Sequence, residues 1–146
     1  MKEKFIQAYM DTARRFAKLS HARRLHVGAI VVKDDRIISI GYNGMPAGWD
    51  NDCENIVGYS GGEPVYKTKP EVLHAETNAI AKLARSGEHG LNSDLFVTHA
   101  PCMDCAKLIY QAGIKRVFFG SAYRDHSGVD FLEASGIEVI QVPEHT

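Results

Sequence analysis

Residues 94–120 read DLFVTHAPCMDCAKLIYQAGIKRVFFG, and this stretch decides the fold. Asp94–His99 is a short apolar run typical of a buried strand, and Arg116–Gly120 is a second one. Between them, Cys102–Gln111 is predicted to be a helix that stops before Gly113, a residue type that commonly ends helices. A strand, a helix and a strand in this order predict two parallel strands joined by a crossover helix.

Further elements are predicted on both sides of this unit. They are a helix over 3–19, a hairpin of strands Val27–Val32 and Arg36–Gly41, a helix over Leu73–Arg85, a helix over Gly128–Ala134 and a last strand over Ile137–Val142. Residues 41–72 are rich in Gly, Pro, Asn and Asp and are predicted to form a long loop. We therefore predict an α/β protein, a three-layer α/β/α sandwich around a five-stranded mixed sheet that begins with an antiparallel hairpin.

Composition narrows the class of protein. The 146 residues suit one domain, 1–146, and the formal net charge is −1. A domain that holds a long nucleic acid usually has a basic excess, so the charge favours a small ligand and no nucleic acid partner. The sequence shows no signal-peptide core and no apolar run long enough to cross a bilayer, which predicts a cytoplasmic protein with no membrane partner.

Two short motifs predict a catalytic zinc site. His74 offers a neutral nitrogen, and Cys102 and Cys105 offer two thiolates, so zinc would have three protein ligands and an open fourth position for water. Glu76, two residues after His74, is interpreted as the acid/base that moves the proton of that water. The pattern H-x-E…P-C-x-x-C is the signature of zinc deaminases that act on cytosine or adenine.

The cysteine pair has two other interpretations, a structural zinc site and a redox pair. A structural zinc site needs four protein ligands, and only Cys53 or a histidine such as His99 is left to complete the set. A thioredoxin-like redox pair would not need the distant His74 and Glu76. Because neither alternative gives Glu76 a role, we favour catalysis, with one zinc per chain and Cys53 as an unpaired cysteine.

Over nearly its whole length the chain resembles the deoxycytidylate (dCMP) deaminases of the cytidine deaminase superfamily. The resemblance is carried by five motifs, which are VGA at 27–29, GYNGMP at 41–46, HAETNAI at 74–80, PCMDCAK at 101–107 and QAGIK at 111–115. It implies a cytidine deaminase-like fold and the hydrolysis of dCMP to dUMP and ammonia, which supplies dUMP for dTTP synthesis. It also implies zinc on His74, Cys102 and Cys105, with Glu76 as proton shuttle.

Regulation and assembly are also implied by the resemblance. It implies activation by dCTP and inhibition by dTTP, with Mg²⁺ accompanying the triphosphate, and a homo-oligomer, often a hexamer. The allosteric nucleotide site is expected at residues Gly41, Tyr42, Asn43, Gly44 and Arg24.

The substrate contacts are hypotheses at this stage. The candidates are Asn43, Ala75, Thr98, Pro101, Arg23, Tyr123 and Arg124. The 5′-phosphate of a nucleotide needs cations or N–H donors, and Arg23, Arg24 and Arg124 are the candidates for it, although each has a solvated surface position as its alternative.

Three rival functions remain open. A tRNA adenosine deaminase would need a basic track along the nucleic acid backbone. A free-nucleoside deaminase would leave the candidate phosphate-binding arginines without a role. A non-catalytic module stapled by zinc would leave Glu76 without one.

Overall fold

The fold is described from a computed structural model, which covers residues 1–144. It has four helices and seven strands within those residues. They are α1 (Glu3–Ala17), β1 (Gly28–Lys33), β2 (Arg36–Tyr42), β3 (Glu54–Ser60), β4 (Glu63–Thr68), α2 (Ala75–Ala84), β5 (Asp94–His99), α3 (Met103–Gln111), β6 (Arg116–Ser121), α4 (Ser127–Ala134) and β7 (Glu138–Gln141). The last two positions of the predicted domain, 145 and 146, lie outside the described residues.

A five-stranded mixed sheet in the order β2-β1-β5-β6-β7 forms the centre of the molecule. β1 is antiparallel to both β2 and β5, whereas β5, β6 and β7 run parallel. Parallel neighbours require a crossover connection, and α3 and α4 supply it. The predicted hairpin and the predicted strand–helix–strand unit are both confirmed.

Helices cover both faces of this sheet. α2, α3 and α4 bury one face through residues such as Ala79, Ile109 and Leu132. α1 packs on the other face, where Met10 and Ala13 meet a stacked pair of rings, Phe96 and Phe118, with centroids 4.5 Å apart. The three-layer α/β/α sandwich is therefore confirmed.

Two glycines allow helices to approach the sheet closely. A Cβ at Gly28 would overlap the Ala13 carbonyl and lie 2.7 Å from the Ala17 nitrogen of α1. A Cβ at Gly41 would overlap the Ala75 carbonyl and lie 2.6 Å from the Ala79 nitrogen of α2. These glycines set the depth at which α1 and α2 sit on the sheet, because no larger residue fits there.

The prediction of an unbroken loop over residues 41–72 is wrong. This segment contains the antiparallel hairpin of β3 and β4, whose two-residue turn has positive φ at Gly61 (57°) and Gly62 (82°). Such a Gly-Gly turn is a recognised hairpin signal. The strands were missed because most of their residues are exposed, so they lack the apolar alternation that a buried face imposes.

No helix within residues 1–144 has the length and apolar character needed to cross a membrane.

Candidate active site

Several strand ends meet at one cavity on one edge of the sheet. Because β1 is antiparallel to both β2 and β5, its start lies beside the ends of those two strands. Val27, Asn43, His99 and Tyr123 flank or end strands at this edge, and all four line a cavity of about 400 Å³. Ligands of open α/β sheets bind outside the carboxyl ends of the strands, and this volume suits a small molecule.

Two helices begin at this cavity. His74 is the N-cap residue of α2 and Cys102 is the N-cap residue of α3, while Cys105 lies in the first turn of α3. Both helices start one or two residues later than predicted, which leaves His74 and Cys102 directly at their N-terminal ends. The imidazole and the two sulfurs therefore face a common point between the helix N-termini.

The spacing of the three side chains fits zinc. His74 Nδ1 lies 3.3 Å from Cys105 Sγ and 3.6 Å from Cys102 Sγ. All three candidate ligand atoms lie within 4.8 Å of one another. Tetrahedral zinc, with bonds of about 2.1 Å to nitrogen and about 2.3 Å to sulfur, separates two such ligands by about 3.6 Å. The donor set and its geometry therefore fit an ion with three protein ligands and one open position.

Neighbouring groups shift the pKa values of both thiols strongly, and in opposite directions. Hydrogen bonds from Cys105 and then His74 lower the pKa of the Cys102 thiol to about 4. The pKa of the Cys105 thiol is raised, first by its hydrogen bond to Cys102 and then by burial. The pKa of His74 is raised because its protonated ring bonds to Cys102. The lowered pKa keeps Cys102 as a thiolate, which is the form of cysteine that binds zinc.

Glu76 faces the same cavity from the first turn of α2. Only 4% of it is exposed, and burial raises the pKa of its carboxyl group. Among the described residues, the group of possible metal ligands contains His74, Cys102 and Cys105 but not Glu76. A carboxyl group with a raised pKa beside a metal site is suited to taking up and returning a proton.

The cavity wall contains some predicted residues and many that sequence reasoning missed. Asn43, Ala75 and Tyr123 line it as candidate substrate contacts, and so does Arg24, which is predicted both as a phosphate contact and for the allosteric site. The residues not predicted as substrate contacts are Ala22, Leu25, Val27, Glu54, Thr68, Val72, His99 and Ala100. They come from separate segments, so no local spacing could have grouped them.

Four predicted substrate residues do not line this cavity. Arg23 instead pairs with Asp52 at 2.6 Å and with Glu54 at 3.1 Å. Pro101 is buried beside Gly128, and Arg124 is exposed next to Tyr123. The fourth, Thr98, is buried behind the wall.

Thr98 connects β1 to His99. Its Oγ1 accepts a hydrogen bond from the Gly28 N–H at 3.1 Å and lies 3.1 Å from His99 Nδ1. The Thr98 hydroxyl group therefore links the start of β1 to the His99 ring. Burial lowers the pKa of that ring, which favours its neutral form.

Asn43 holds the segment that precedes β1. Its Oδ1 accepts a hydrogen bond from the Val27 N–H at 2.9 Å, and its Nδ2 donates to the Leu25 carbonyl at 2.7 Å. Leu25 and Val27 both line the cavity, so this one amide shapes the cavity wall in addition to lining it.

A second cavity, of about 300 Å³, lies on the outer side of the GYNG segment. Tyr42 and Gly44 line it, together with Asn78 and Lys82 of α2. Of the other residues predicted for the allosteric site, Asn43 and Arg24 line the first cavity, and Gly41 packs against α2.

Cys53 is a free, fully buried cysteine whose thiol donates to the Asn51 carbonyl at 3.4 Å. It belongs to no group of three possible metal ligands within residues 1–144.

Comparisons with known proteins agree with this geometry. The family described as the cytidine and deoxycytidylate deaminase zinc-binding region matches residues 3–121. ComE operon protein 2 of Bacillus subtilis is 36% identical over 141 residues, covering 93% of this chain and 70% of that protein. The deoxycytidylate deaminase of Homo sapiens is 40% identical over 115 residues, covering 77% and 62%.

A solved structure is also similar over almost the whole chain. The dCMP deaminase of the cyanophage S-TIM5, crystallised in complex with dCMP and dUMP, is 44% identical with a TM-score of 0.86. The likeness covers 97% of this chain and 99% of that one. Together with the His–Cys–Cys group and the buried Glu76, these matches show that the chain belongs to the cytidine and deoxycytidylate deaminase family of zinc-dependent hydrolytic deaminases.

Proposed function

We propose that this protein hydrolyses dCMP to dUMP and ammonia. The observation that carries the proposal is the buried Glu76 beside the His74–Cys102–Cys105 group, in a cavity of nucleotide-accommodating size. The likeness to a cyanophage enzyme crystallised with dCMP and dUMP supports this choice of substrate.

The proposed chemistry divides between the metal and Glu76. Zinc, when held by His74, Cys102 and Cys105, supplies Lewis-acid activation of the attacking water. Glu76 takes one proton of that water and passes it to the ring nitrogen beside the attacked carbon. It then takes the second proton, from the hydroxyl group added to that carbon, and delivers it to the departing amine, which leaves as ammonia. Burial of Glu76 supports this role, because it brings the two protonation states of the carboxyl group closer in energy.

Proposed substrate contacts follow from the cavity wall. Ala75 borders the base from the first turn of α2, Asn43 borders the sugar, and Tyr123 covers the cavity mouth. Pro101 contributes indirectly, since it directly precedes the N-cap residue of α3. Thr98 contributes by orienting His99.

The phosphate is assigned to Arg24. Its exposed side chain lines the cavity and has no ion pair with any residue the structure describes. Arg23 is engaged by two carboxylates, so its role is to support Arg24. Arg124, exposed beside Tyr123, is a second candidate for the phosphate.

Regulation is proposed at the second cavity. Tyr42 and Gly44 line it, and the ammonium group of Lys82 donates one hydrogen bond to the Ile40 carbonyl at 2.7 Å. The remaining hydrogens of that group are available to a phosphate. We propose that dCTP activates and dTTP inhibits there, each with Mg²⁺, in a homo-oligomer such as a hexamer.

The cellular role follows from the proposed reaction. The product dUMP would supply dTTP synthesis, with residues 1–146 acting as one domain. The free thiols of Cys53, Cys102 and Cys105 suit the reducing cytoplasm.

Ammonia release by the zinc-loaded protein tests the reaction. We expect release from dCMP, faster with dCTP and Mg²⁺ and slower with dTTP, and weaker turnover of deoxycytidine. If no ammonia is released from dCMP in the presence of dCTP and Mg²⁺, the assignment is overturned. Activity on tRNA, or on nucleosides alone, would then identify the substrate class instead. Indifference to both triphosphates would remove the regulatory proposal alone.

A further inference from the structure

Glu54 is a buried carboxylate at the start of β3, a position that sequence reasoning did not single out. Only 3% of the residue is exposed, yet it lines the active-site cavity. A buried charge is unfavourable unless it is paired and hydrogen-bonded, so its partners indicate what it does.

Those partners lie in one irregular segment. The Glu54 carboxylate accepts hydrogen bonds from the backbone N–H of Arg23 at 2.8 Å and of Arg24 at 3.3 Å. It also accepts one from the Arg23 guanidinium at 3.1 Å. The segment between α1 and β1 contains neither helix nor strand, so such bonds take the place of a regular backbone ladder.

The hydrogen bonds of Glu54 give the two adjacent arginines, Arg23 and Arg24, different roles. The Arg23 guanidinium bonds to Asp52 and Glu54 and lies over the Tyr66 ring, 5.0 Å from its centroid. The Arg24 side chain lines the cavity instead, with its backbone N–H held by Glu54. Fixing the backbone at both residues therefore leaves the second guanidinium available to a ligand.

The negative charge of Glu54 must also be offset by neighbouring groups if the cavity is to bind a phosphate. A carboxylate in the wall of a cavity that binds a phosphate would repel it. Two N–H groups and the Arg23 guanidinium stabilise the charge of Glu54, and Lys69, 4.0 Å from Asp52, offsets the second carboxylate that shares Arg23. The four charges balance, so Arg24 keeps its positive effect in the cavity.

We propose that Glu54 is a positioning residue that orients Arg24 and thereby makes the enzyme prefer the phosphorylated substrate over the free nucleoside. This inference rests on the proposed function, since it assigns the substrate phosphate to Arg24. It extends that function by naming the residue, thirty positions away from Arg24, on which the preference depends.

The test compares KM and kcat for dCMP and deoxycytidine in four proteins. They are the wild type, Glu54→Gln, Arg24→Gln and the double variant. We expect Glu54→Gln to raise KM for dCMP about tenfold, the size expected for a lost charge-assisted contact, while KM for deoxycytidine and kcat stay within about twofold. We expect the double variant to resemble Arg24→Gln, because Glu54 acts through Arg24.

Asp52→Asn is the matched control. Asp52 also bonds Arg23 but accepts no hydrogen bond from the Arg23 or Arg24 backbone. We expect it to leave KM for dCMP within about twofold of the wild type. Zinc content and thermal unfolding confirm that each variant is folded, and Glu54→Asp, too short to keep both N–H bonds, replaces Glu54→Gln if that variant does not fold.

Three results would overturn the inference. Additive effects in the double variant would mean that Glu54 does not act through Arg24. Equal increases of KM for both substrates would make Glu54 a contact to the sugar or base. A fall in kcat alone would place it in the chemical step. If the wild type releases no ammonia from dCMP, the proposed function fails instead, and the two failures are thus distinguishable.

Discussion

The two sides of the active-site cavity are built in different ways. On the metal side, His74, Glu76, Cys102 and Cys105 lie at the N-terminal ends of two helices that are anchored on the sheet. On the opposite side, the wall comes from residues between elements or at the base of the β3–β4 hairpin, and these are held by single side chains such as Asn43 and Glu54. The comparison teaches that regular structure places the candidate metal ligands and Glu76, whereas a few long-range hydrogen bonds hold the wall that we propose binds the substrate.

The largest effect is expected on the metal side, at Glu76, the proposed proton shuttle. Glu76→Gln keeps the shape of the side chain but removes its ability to carry a proton, so kcat should fall by about 10²–10⁴-fold. Zinc content should stay at that of the wild type, because Glu76 is not in the ligand group. Ammonia release and metal analysis check this, with Glu133→Gln on the exposed side of α4 as control. If Glu76→Gln retains full turnover, Glu76 does not carry the proton and its role is structural.

Gly41→Ala tests the close contact between β2 and α2, the helix that carries Glu76. The new Cβ overlaps the backbone of α2, so the helix that carries Glu76 must shift, at a cost of about 1–3 kcal/mol in the free energy of unfolding. Turnover should fall as well. Gly87→Ala is the control, since its Cβ would meet no atom within 4 Å. If urea unfolding and turnover are the same in both variants, the depth of α2 does not govern the site.

The opposite wall is tested by Asn43→Ala. This change removes the bonds to the Val27 N–H and the Leu25 carbonyl, which should lower the free energy of unfolding by about 1–3 kcal/mol and raise KM more than it lowers kcat. Asn43→Asp is the matched variant, because it keeps the acceptor for the Val27 N–H but replaces the donor to Leu25 with a charged oxygen that faces the Leu25 carbonyl. A fall in kcat with unchanged KM would contradict the division between the two sides.

The smallest effect is expected at His99, where the two sides meet. Burial holds its folded pKa below the unfolded value of 6.5, so the unfolded chain takes up the proton first as pH falls. The stability contributed by neutral His99 is therefore complete above pH 6.5 and declines as pH falls toward the lowered folded pKa. The wild type should lose unfolding free energy as pH falls below 6.5, and we expect His99→Gln to lose less over the same range.

Parallel stability curves for wild type and variant above pH 7 serve as the internal control for that experiment. Identical slopes below pH 6.5 would mean that His99 ionises in the folded protein as it does in the unfolded chain.

The sequence by itself determined the sheet and the metal side, for local reasons. A strand followed by a helix and another strand admits few arrangements, so residues 94–121 predicted the parallel part of the sheet correctly. The motifs at 74–76 and 102–105 each span less than one helical turn, so the backbone alone sets the relative directions of their side chains.

Only the tertiary structure decided the wall that faces the metal. Glu54 bonds to a segment about thirty residues away, and Asn43 bonds to two residues that lie sixteen and eighteen positions before it. No local sequence pattern predicts contacts over such separations. The β3–β4 hairpin escaped prediction because its exposed faces impose no apolar alternation. Arg23 and Arg24 are adjacent residues of the same type, so the sequence does not distinguish them. In the folded chain the buried Glu54 holds the Arg23 guanidinium, and Arg24 lines the cavity.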